Sequence, residues 1–236
     1  MEKSTDALGQ ALLDYLDGER NHEIIVTSDV TEPDVIPLDY LFRTINKLPA
    51  IESKAIDLCE GDVLDVGAGS GVHTLILQNK GLKVKAIDVS DGAVTAMSQR
   101  GVLNVENISF FDVKDEKFDT LLLLMNGIGI VGTLEGLRLF LKKAKALLND
   151  GGKVLLDSTD IQYLFTEEDG SVWVDLNKKY YGEVTYQMSY KNLTTHPFSW
   201  LFVDYSLLQQ EASSQGFQVD LIAEGENNHY LAQLSL

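Results

Sequence analysis

The stretch Val63-Leu64-Asp65-Val66-Gly67-Ala68-Gly69-Ser70-Gly71 carries an apolar strand pattern straight into a loop with glycine at alternate positions, and a helical pattern follows. Glycine permits positive φ and lets a ligand come close to the backbone. The helix start beyond the loop offers free N–H groups to an anion. Such a turn fits an α/β sheet whose strands end at a ligand, and it also fits a tight strand–helix turn that binds nothing. A dinucleotide fingerprint would read G-x-G-x-x-G. Here the glycines run G-x-G-x-G, with the acid Asp65 two residues ahead of the first.

The pattern downstream keeps a strand–helix rhythm. Strands are predicted at Asp62–Val66, Leu82–Asp88, Val105–Phe111, Phe118–Met125 and Lys153–Asp157, and helices at Ser70–Lys80, Gly92–Gln99 and Leu134–Leu148. The run Phe118–Met125 is almost wholly apolar, as expected of a parallel strand covered on both faces. This alternation predicts a Rossmann-like, doubly wound α/β fold of about seven strands. After a helix at Tyr205–Ser214, Phe217–Ala223 and Tyr230–Leu236 flank the turn residues Gly225–Asn228 and predict a C-terminal antiparallel strand pair.

Two segments stand outside the rhythm. Residues 1–60 read as an N-terminal helical extension of the same domain: helices at Ser4–Asp17, Leu38–Lys47 and Pro49–Leu58, with an acidic, proline-containing loop at Ser28–Pro37. Within residues 61–236, an inserted hairpin is expected near 181–203. There Val184, Tyr186, Met188 and Tyr190 alternate with polar neighbours, and Phe198–Val203 supplies the partner strand.

Charge narrows the partners. The formal net charge is −17, from 36 acidic and 19 basic residues. An acidic surface repels phosphate backbones, so nucleic acid is not an expected partner. The most apolar stretch, Leu121–Val131, falls far short of the ~20 residues of a membrane span. The N-terminus lacks the apolar core of a signal peptide. Cys59 is the single cysteine, which fits a reducing compartment. The expectation is a cytoplasmic protein acting on a small molecule, with no metal-ligand set standing out.

Acids recur at the predicted strand ends. Asp88 follows Asp65 by 23 positions in Ala86-Ile87-Asp88-Val89-Ser90, and Asp112 follows Asp88 by 24 in Ser109-Phe110-Phe111-Asp112-Val113. A strand-end carboxylate in the place of Asp88 accepts hydrogen bonds from both ribose hydroxyls of a nucleoside. Phe118-Asp119 opens the next strand, which ends at Met125-Asn126, and Gly151-Gly152 precedes the one after it. Taken in order, these elements resemble the motifs of class I S-adenosylmethionine-dependent methyltransferases, over Gly61–Asp160 by motif and over Tyr205–Leu236 by topology. The resemblance implies S-adenosylmethionine as cofactor and methyl transfer as activity. It implies that Gly67, Ala68 and Gly69 line the cofactor and that Asp65 orders their loop and reaches the ammonium end. It further implies Asp88 on the ribose, Val89 against the adenine, Asp112 on its amino group with Val113 beside the ring, and Met125 and Asn126 at the cleft where sulfonium and acceptor meet.

The chain departs from some subgroups. After the fourth strand it reads Met125-Asn126-Gly127-Ile128-Gly129. The (Asp/Asn)-Pro-Pro-(Tyr/Phe) signature of methyltransferases acting on DNA-base or glutamine amino groups is missing. Candidate acceptor-side residues are Tyr40 and Arg43, expected on one helix face with Arg43 reaching the methionine carboxylate, and Tyr190 and His196 in the hairpin. Of the four histidines, His73 is expected as a helix-surface or capping residue and His229 at the hairpin turn, away from the cleft. No catalytic residue is assigned, and the pattern names neither the acceptor nor an oligomeric state. Two other readings are a non-catalytic S-adenosylmethionine-binding regulator and, third, an NAD-dependent dehydrogenase, which the glycine spacing disfavours.

Overall fold

The computed structural model describes residues 6–166 and 179–236. In chain order the elements are α1 Ala7–Leu16, β1 Ile24–Ser28, β2 Asp34–Ile36, α2 Ala50–Leu58, β3 Asp62–Val66, α3 Val72–Asn79, β4 Lys83–Asp88, α4 Asp91–Gln99, β5 Val105–Asn107, β6 Phe118–Leu123, α5 Leu134–Leu147, β7 Leu148–Thr159, β8 Glu183–Tyr190, β9 Leu193–Thr194, β10 Phe198–Leu201, α6 Tyr205–Ser214, β11 Gln218–Glu224 and β12 His229–Ser235. Short 3₁₀ turns occupy Leu38–Phe42, Ile45–Lys47, Phe110–Asp112, Gly127–Val131, Gln162–Phe165 and Glu226–Asn228. Among the described residues no helix is long and apolar enough to cross a membrane.

The larger sheet has seven strands in the order β11-β12-β7-β6-β3-β4-β5. Strands β3 to β7 are mutually parallel, and β12 runs antiparallel to both β7 and β11. Neighbours along a strand point to opposite faces, and the apolar run of β6 serves both. Leu121 and Leu123 join a core with Phe140 of α5 and Leu208 of α6. Leu122 joins the opposite core with Ile56 of α2 and Leu77 of α3. Burial on both sides explains why β6 shows no polar alternation.

A second sheet, β10-β8-β1-β2 with β9 on β8, corrects the expected architecture at two points. The N-terminal extension is not all helical: β1 and β2 pair with each other, and β1 pairs antiparallel with β8. The inserted hairpin is therefore one side of a five-stranded sheet, joined to the N-terminal strands through β8, rather than a free-standing pair. Cross-strand partners share a face, so Ile24, Val26, Tyr186, Met188, Phe198 and Trp200 lie on one side. Trp200 packs on the turn after β6 so closely that a Cβ on Gly129 would meet its Nε1 at 1.9 Å. Glu183 accepts the Leu134 N–H at 2.8 Å and anchors the sheet to α5.

Residues 38–47 form two 3₁₀ turns, not the expected helix, and Arg43 lies beyond the first in extended backbone. The strand expected at Val105–Phe111 stops at Asn107. Ser109 turns the chain there, its hydroxyl accepting the Phe111 N–H at 3.3 Å. The first helix binds the larger domain through a close crossing: a Cβ on Gly92 would sit 2.4 Å from the Gly9 Cα. Asp6 caps α1 through the Gly9 N–H at 2.8 Å and also accepts the Gly92 N–H of α4 at 2.9 Å.

Candidate active site

The carboxyl ends of β3, β4, β6 and β7 share one edge of the larger sheet. At β3 the chain enters the glycine loop with Gly67, Gly69 and Gly71 at φ 68, 57 and 78°. Only glycine holds these values without strain. The Gly67 and Ala68 N–H groups bond the Ile87 carbonyl at 2.9 and 3.1 Å, which locks the loop to β4. A Cβ built on Gly67 or Gly69 would meet nothing nearer than 3.8 Å, so that side of the loop is open; on Gly71 it would meet Met97 at 2.9 Å.

Asp88 ends β4 beside the loop. It is 8% exposed and accepts the Gly69 and Ser90 N–H groups at 2.9 Å each. Burial pushes its pKa up, and Asp6 nearby also raises it, while the N–H bonds from Ser90 and Gly69 oppose that. A carboxylate has about four acceptor sites, so two bonds leave capacity for hydroxyls. Val89, next in sequence, is 73% exposed, an apolar side chain left at the sheet edge. Asp65 is buried behind the loop and accepts the Thr74 hydroxyl at 2.5 Å. Burial raises its pKa against the pull of His73 and Thr74.

Asp112 is exposed, in the 3₁₀ turn beyond β5 and not at the end of a strand. Val113 differs more from expectation: it is 1% exposed and packs into the core with Phe110 and Phe140 rather than lining an open surface. Met125 and Asn126 follow β6 with φ of 66 and 53°. Non-glycine residues rarely adopt this region, and pairs of them cluster at functional turns.

That turn is held by a residue to which the sequence pattern assigned no role. Asp157, fully buried near the end of β7, accepts the Met125 N–H at 3.0 Å and the Gly127 N–H at 3.2 Å. The same carboxylate is bonded by His229 Nε2 at 2.9 Å. Thr159 donates to the Asn126 side-chain oxygen at 2.8 Å. His229 therefore stands at the cleft edge, contrary to the expectation that the terminal turn lies away from it. The signal was available: β12 is antiparallel, so its first residue must fall where β7 ends.

The N-terminal segment closes behind the loop. Ser70 donates to the Leu41 carbonyl, and Tyr40 lies under Arg43, whose Cζ is 4.1 Å from the ring centroid. Arg43 is buried and paired with Glu52, which also bonds His73 Nε2 at 2.6 Å. Arg43 Nη1 donates to the Tyr40 carbonyl at 2.6 Å. Its Nε is buried without a partner among the described residues. The expected free guanidinium is thus engaged with Glu52, and His73 is an interior residue, not a surface one. Burial would raise the Glu52 pKa, but His73 and Arg43 outweigh it and hold the carboxyl below its usual range.

The two hairpin candidates share no hydrogen bond with the described residues of this edge. Tyr190 is buried against Ala7 and Ala11 of α1, with its hydroxyl on Asp14 at 3.1 Å. This corrects its expected place in a pocket wall. His196 is exposed in the loop after β9.

Comparison with known proteins agrees with the geometry. A methyltransferase-domain family model matches residues 63–152. The structure of an S-adenosylmethionine-dependent methyltransferase from Bacteroides fragilis, in complex with S-adenosyl-L-homocysteine, superposes with a TM-score of 0.93 at 40% identity, covering 100% of this chain and 97% of that one. An S-adenosylmethionine-dependent methyltransferase from Clostridium acetobutylicum shares the fold, with a TM-score of 0.59 at 13% identity over 81% of this chain and 93% of that one. An uncharacterized methyltransferase of Staphylococcus carnosus is 44% identical over 61 residues, 25% of this chain; the match spans 30% of that relative's length. The full-length likeness to the Bacteroides protein, together with the loop and strand-end acids, shows that this chain belongs to the class I S-adenosylmethionine-dependent methyltransferases.

Proposed function

We propose that the protein transfers the methyl group of S-adenosylmethionine to a small-molecule acceptor bound between the carboxyl edge of the larger sheet and the apolar face of the smaller one. The observation that carries this reading is the open side of the glycine loop, with Asp88 pinned next to it by the Gly69 N–H at 2.9 Å. When bound, S-adenosylmethionine supplies a methyl group on a positively charged sulfur, already a strong electrophile.

The residues present fit that group. Gly67, Ala68 and Gly69 give a backbone cradle, Asp88 holds the ribose, and Val89 offers an apolar surface to the adenine. Asp112 is free to accept from the amino group. Asp65 acts through the loop: buried and bonded to Thr74, it fixes the strand end that the glycines leave. Met125, held by Asp157, and Asn126, held by Thr159, form the floor where the acceptor arrives. Holding the reactants in one geometry supplies much of the rate.

The smaller sheet supplies the other wall. Tyr186, Phe198 and Trp200 form an aromatic cluster with ring separations of 6.2 to 6.4 Å. Burial pushes the Tyr186 hydroxyl up to about 12, so it stays protonated and is available to donate. Trp200 sits on Gly129, three residues past Asn126, which supports this wall as the acceptor's second side. His196, in the exposed loop, contributes at most at the rim. We place the protein in the cytoplasm on its single cysteine, and we exclude nucleic acid as acceptor on the charge of −17. No described feature favours a non-catalytic regulator or a dehydrogenase.

Titration calorimetry with S-adenosylmethionine, S-adenosylhomocysteine and NADH tests the first half. Binding of the first two and not the third is expected, and tighter NADH binding would overturn the reading. Methyl-labelled cofactor incubated with a fractionated metabolite extract tests the second half. Label should appear in a small-molecule fraction; label confined to macromolecules would refute the acceptor class.

A further inference from the structure

Asp157 gathers more donors than a structural acid at a strand end needs. Fully buried, it bonds the Met125 and Gly127 N–H groups on one side and His229 Nε2 on the other, with Met125 and His229 on the same carboxylate oxygen. Both partners are held in restricted backbone. Met125 and Asn126 have positive φ, as do Asn227 and Asn228 immediately before His229. The Gly225 N–H closes that second turn on the His229 carbonyl at 2.7 Å. His229 is thereby fixed against the turn on which the transfer is proposed to occur, and its side chain is one-quarter exposed.

The hydrogen bond to Asp157 selects the proton position. A carboxylate can only accept, so Nε2 carries a hydrogen, and in the neutral imidazole the lone pair is then on Nδ1. Among the described residues Nδ1 has no hydrogen-bond partner. A part-exposed imidazole oriented by a buried carboxylate that also holds the β6 turn, with its second nitrogen unbonded, is the arrangement of a general base and the group that orients it.

We propose that His229 is the general base for a protic acceptor, of which a hydroxyl is the class that most needs one, and that Asp157 positions it. The inference rests on the methyl-transfer reading above. In the step, the acceptor hydroxyl gives its proton to Nδ1 while an oxygen electron pair forms the new O–CH₃ bond. The carbon–sulfur bond breaks with its electrons staying on sulfur, leaving a neutral thioether. The imidazolium formed is stabilised by Asp157, and its proton later leaves to water. A strut that only ties β7 to β12 would make the same Asp157 contact but would need neither a free nor a reactive Nδ1.

Three measurements separate the possibilities. Long-range ¹H–¹⁵N correlation on the wild-type protein should show His229 protonated at Nε2 and bare at Nδ1, with that preference lost in Asp157→Asn. A proton on Nδ1 would overturn the proposal. Diethylpyrocarbonate with peptide mapping should modify His229 in the folded protein, and an unreactive His229 would mark it as a strut. His229→Gln should bind S-adenosylmethionine with wild-type affinity while transfer to a panel of small alcohols and phenols falls about 10²–10⁴-fold. Transfer within threefold of wild type, or no transfer to any panel member by wild-type protein that binds cofactor, would refute the base or the hydroxyl class. Failure to bind S-adenosylmethionine at all would instead refute the methyl-transfer reading. Should Asp157→Asn fail to fold, the wild-type correlation and His229→Gln still decide the matter.

Discussion

Replacing Glu52 by methionine isolates the energetics of the buried cluster behind the glycine loop. Arg43 and Glu52 side chains are each 3% exposed, and His73 is 7% exposed. With Glu52 gone, the Arg43 guanidinium keeps only the Tyr40 carbonyl at 2.6 Å and the Tyr40 ring, and its Nε already lacks a partner. Breaking a buried pair from one side costs about 3–5 kcal/mol, because the remaining charge cannot reach water. At about 2–4 °C per kcal/mol for a chain of 150–250 residues, the melting temperature should fall by roughly 6–20 °C. The double variant Arg43→Met/Glu52→Met removes the stranded charge and should recover most of that loss. Calorimetry on wild type, single and double variants measures it. The sign with pH follows from the depressed Glu52 pKa. Its stabilisation is complete above the ordinary glutamate value of ~4.3 and is lost as pH falls through the lower folded value. The gap between wild type and Glu52→Met should therefore close in acid. A single variant losing less than about 1 kcal/mol, or a double variant no better than the single, would refute the argument.

Other substitutions probe the remaining elements. Asp88→Ala should weaken S-adenosylmethionine binding about tenfold or more, since a hydrogen bond to a charged group contributes ~1.5–3 kcal/mol; unchanged calorimetric affinity would remove Asp88 from the ribose site. Because burial raises its pKa, wild-type affinity should begin to fall, on acidification, at a pH above the ordinary aspartate range near ~3.9, and Asp88→Asn should flatten that dependence. Gly92→Val would drive a side chain into the Gly9 backbone and should cost ~1–3 kcal/mol, read as a lower denaturant midpoint at constant slope. Tyr186→Ala should leave cofactor affinity within twofold and lower acceptor turnover; a loss of ~3–5 kcal/mol in stability would make it a packing residue.

Much of the larger sheet is written locally. The glycine loop, Asp88 at the end of β4 and the apolar run of β6 announce themselves because each depends on its own few residues and one period. The smaller sheet does not. Ile24-Ile25-Val26-Thr27 is a β-branched run, yet the partner of Ile25–Ser28, Tyr186-Gln187-Met188-Ser189, lies some 160 positions away, and no local pattern joins them. Tyr190 shows the same limit at one residue. The alternation correctly put it on the inner face of β8, but whether that face meets a cleft or α1 depends on where Ala7 and Ala11 dock. The sequence leaves Arg43 open to a methionine carboxylate because Glu52, nine positions on in α2, and His73 across the glycine loop become its neighbours only on folding.

His229 shows how topology can turn a local misreading into chemistry. In a parallel sheet every strand delivers its last residue to the ligand edge, which is why Asp65, Asp88 and Asp157 can be looked for there. An antiparallel strand delivers its first. Once β12 is known to pair with β7 in the register His229↔Thr159 and Leu231↔Asp157, His229 cannot lie at the opposite end of the sheet. The edge then holds two kinds of residue supplied by opposite chain directions: acids that end parallel strands and a histidine that begins the antiparallel one. Asp157 is bonded to both the β6 turn and His229, so the terminal strand and the turn proposed to receive the acceptor share one carboxylate. Loss of the His229 side-chain bond leaves that carboxylate still accepting the Met125 and Gly127 N–H groups, with Thr159 on the Asn126 side chain, which is why His229→Gln should keep the turn and the cofactor affinity while removing the base.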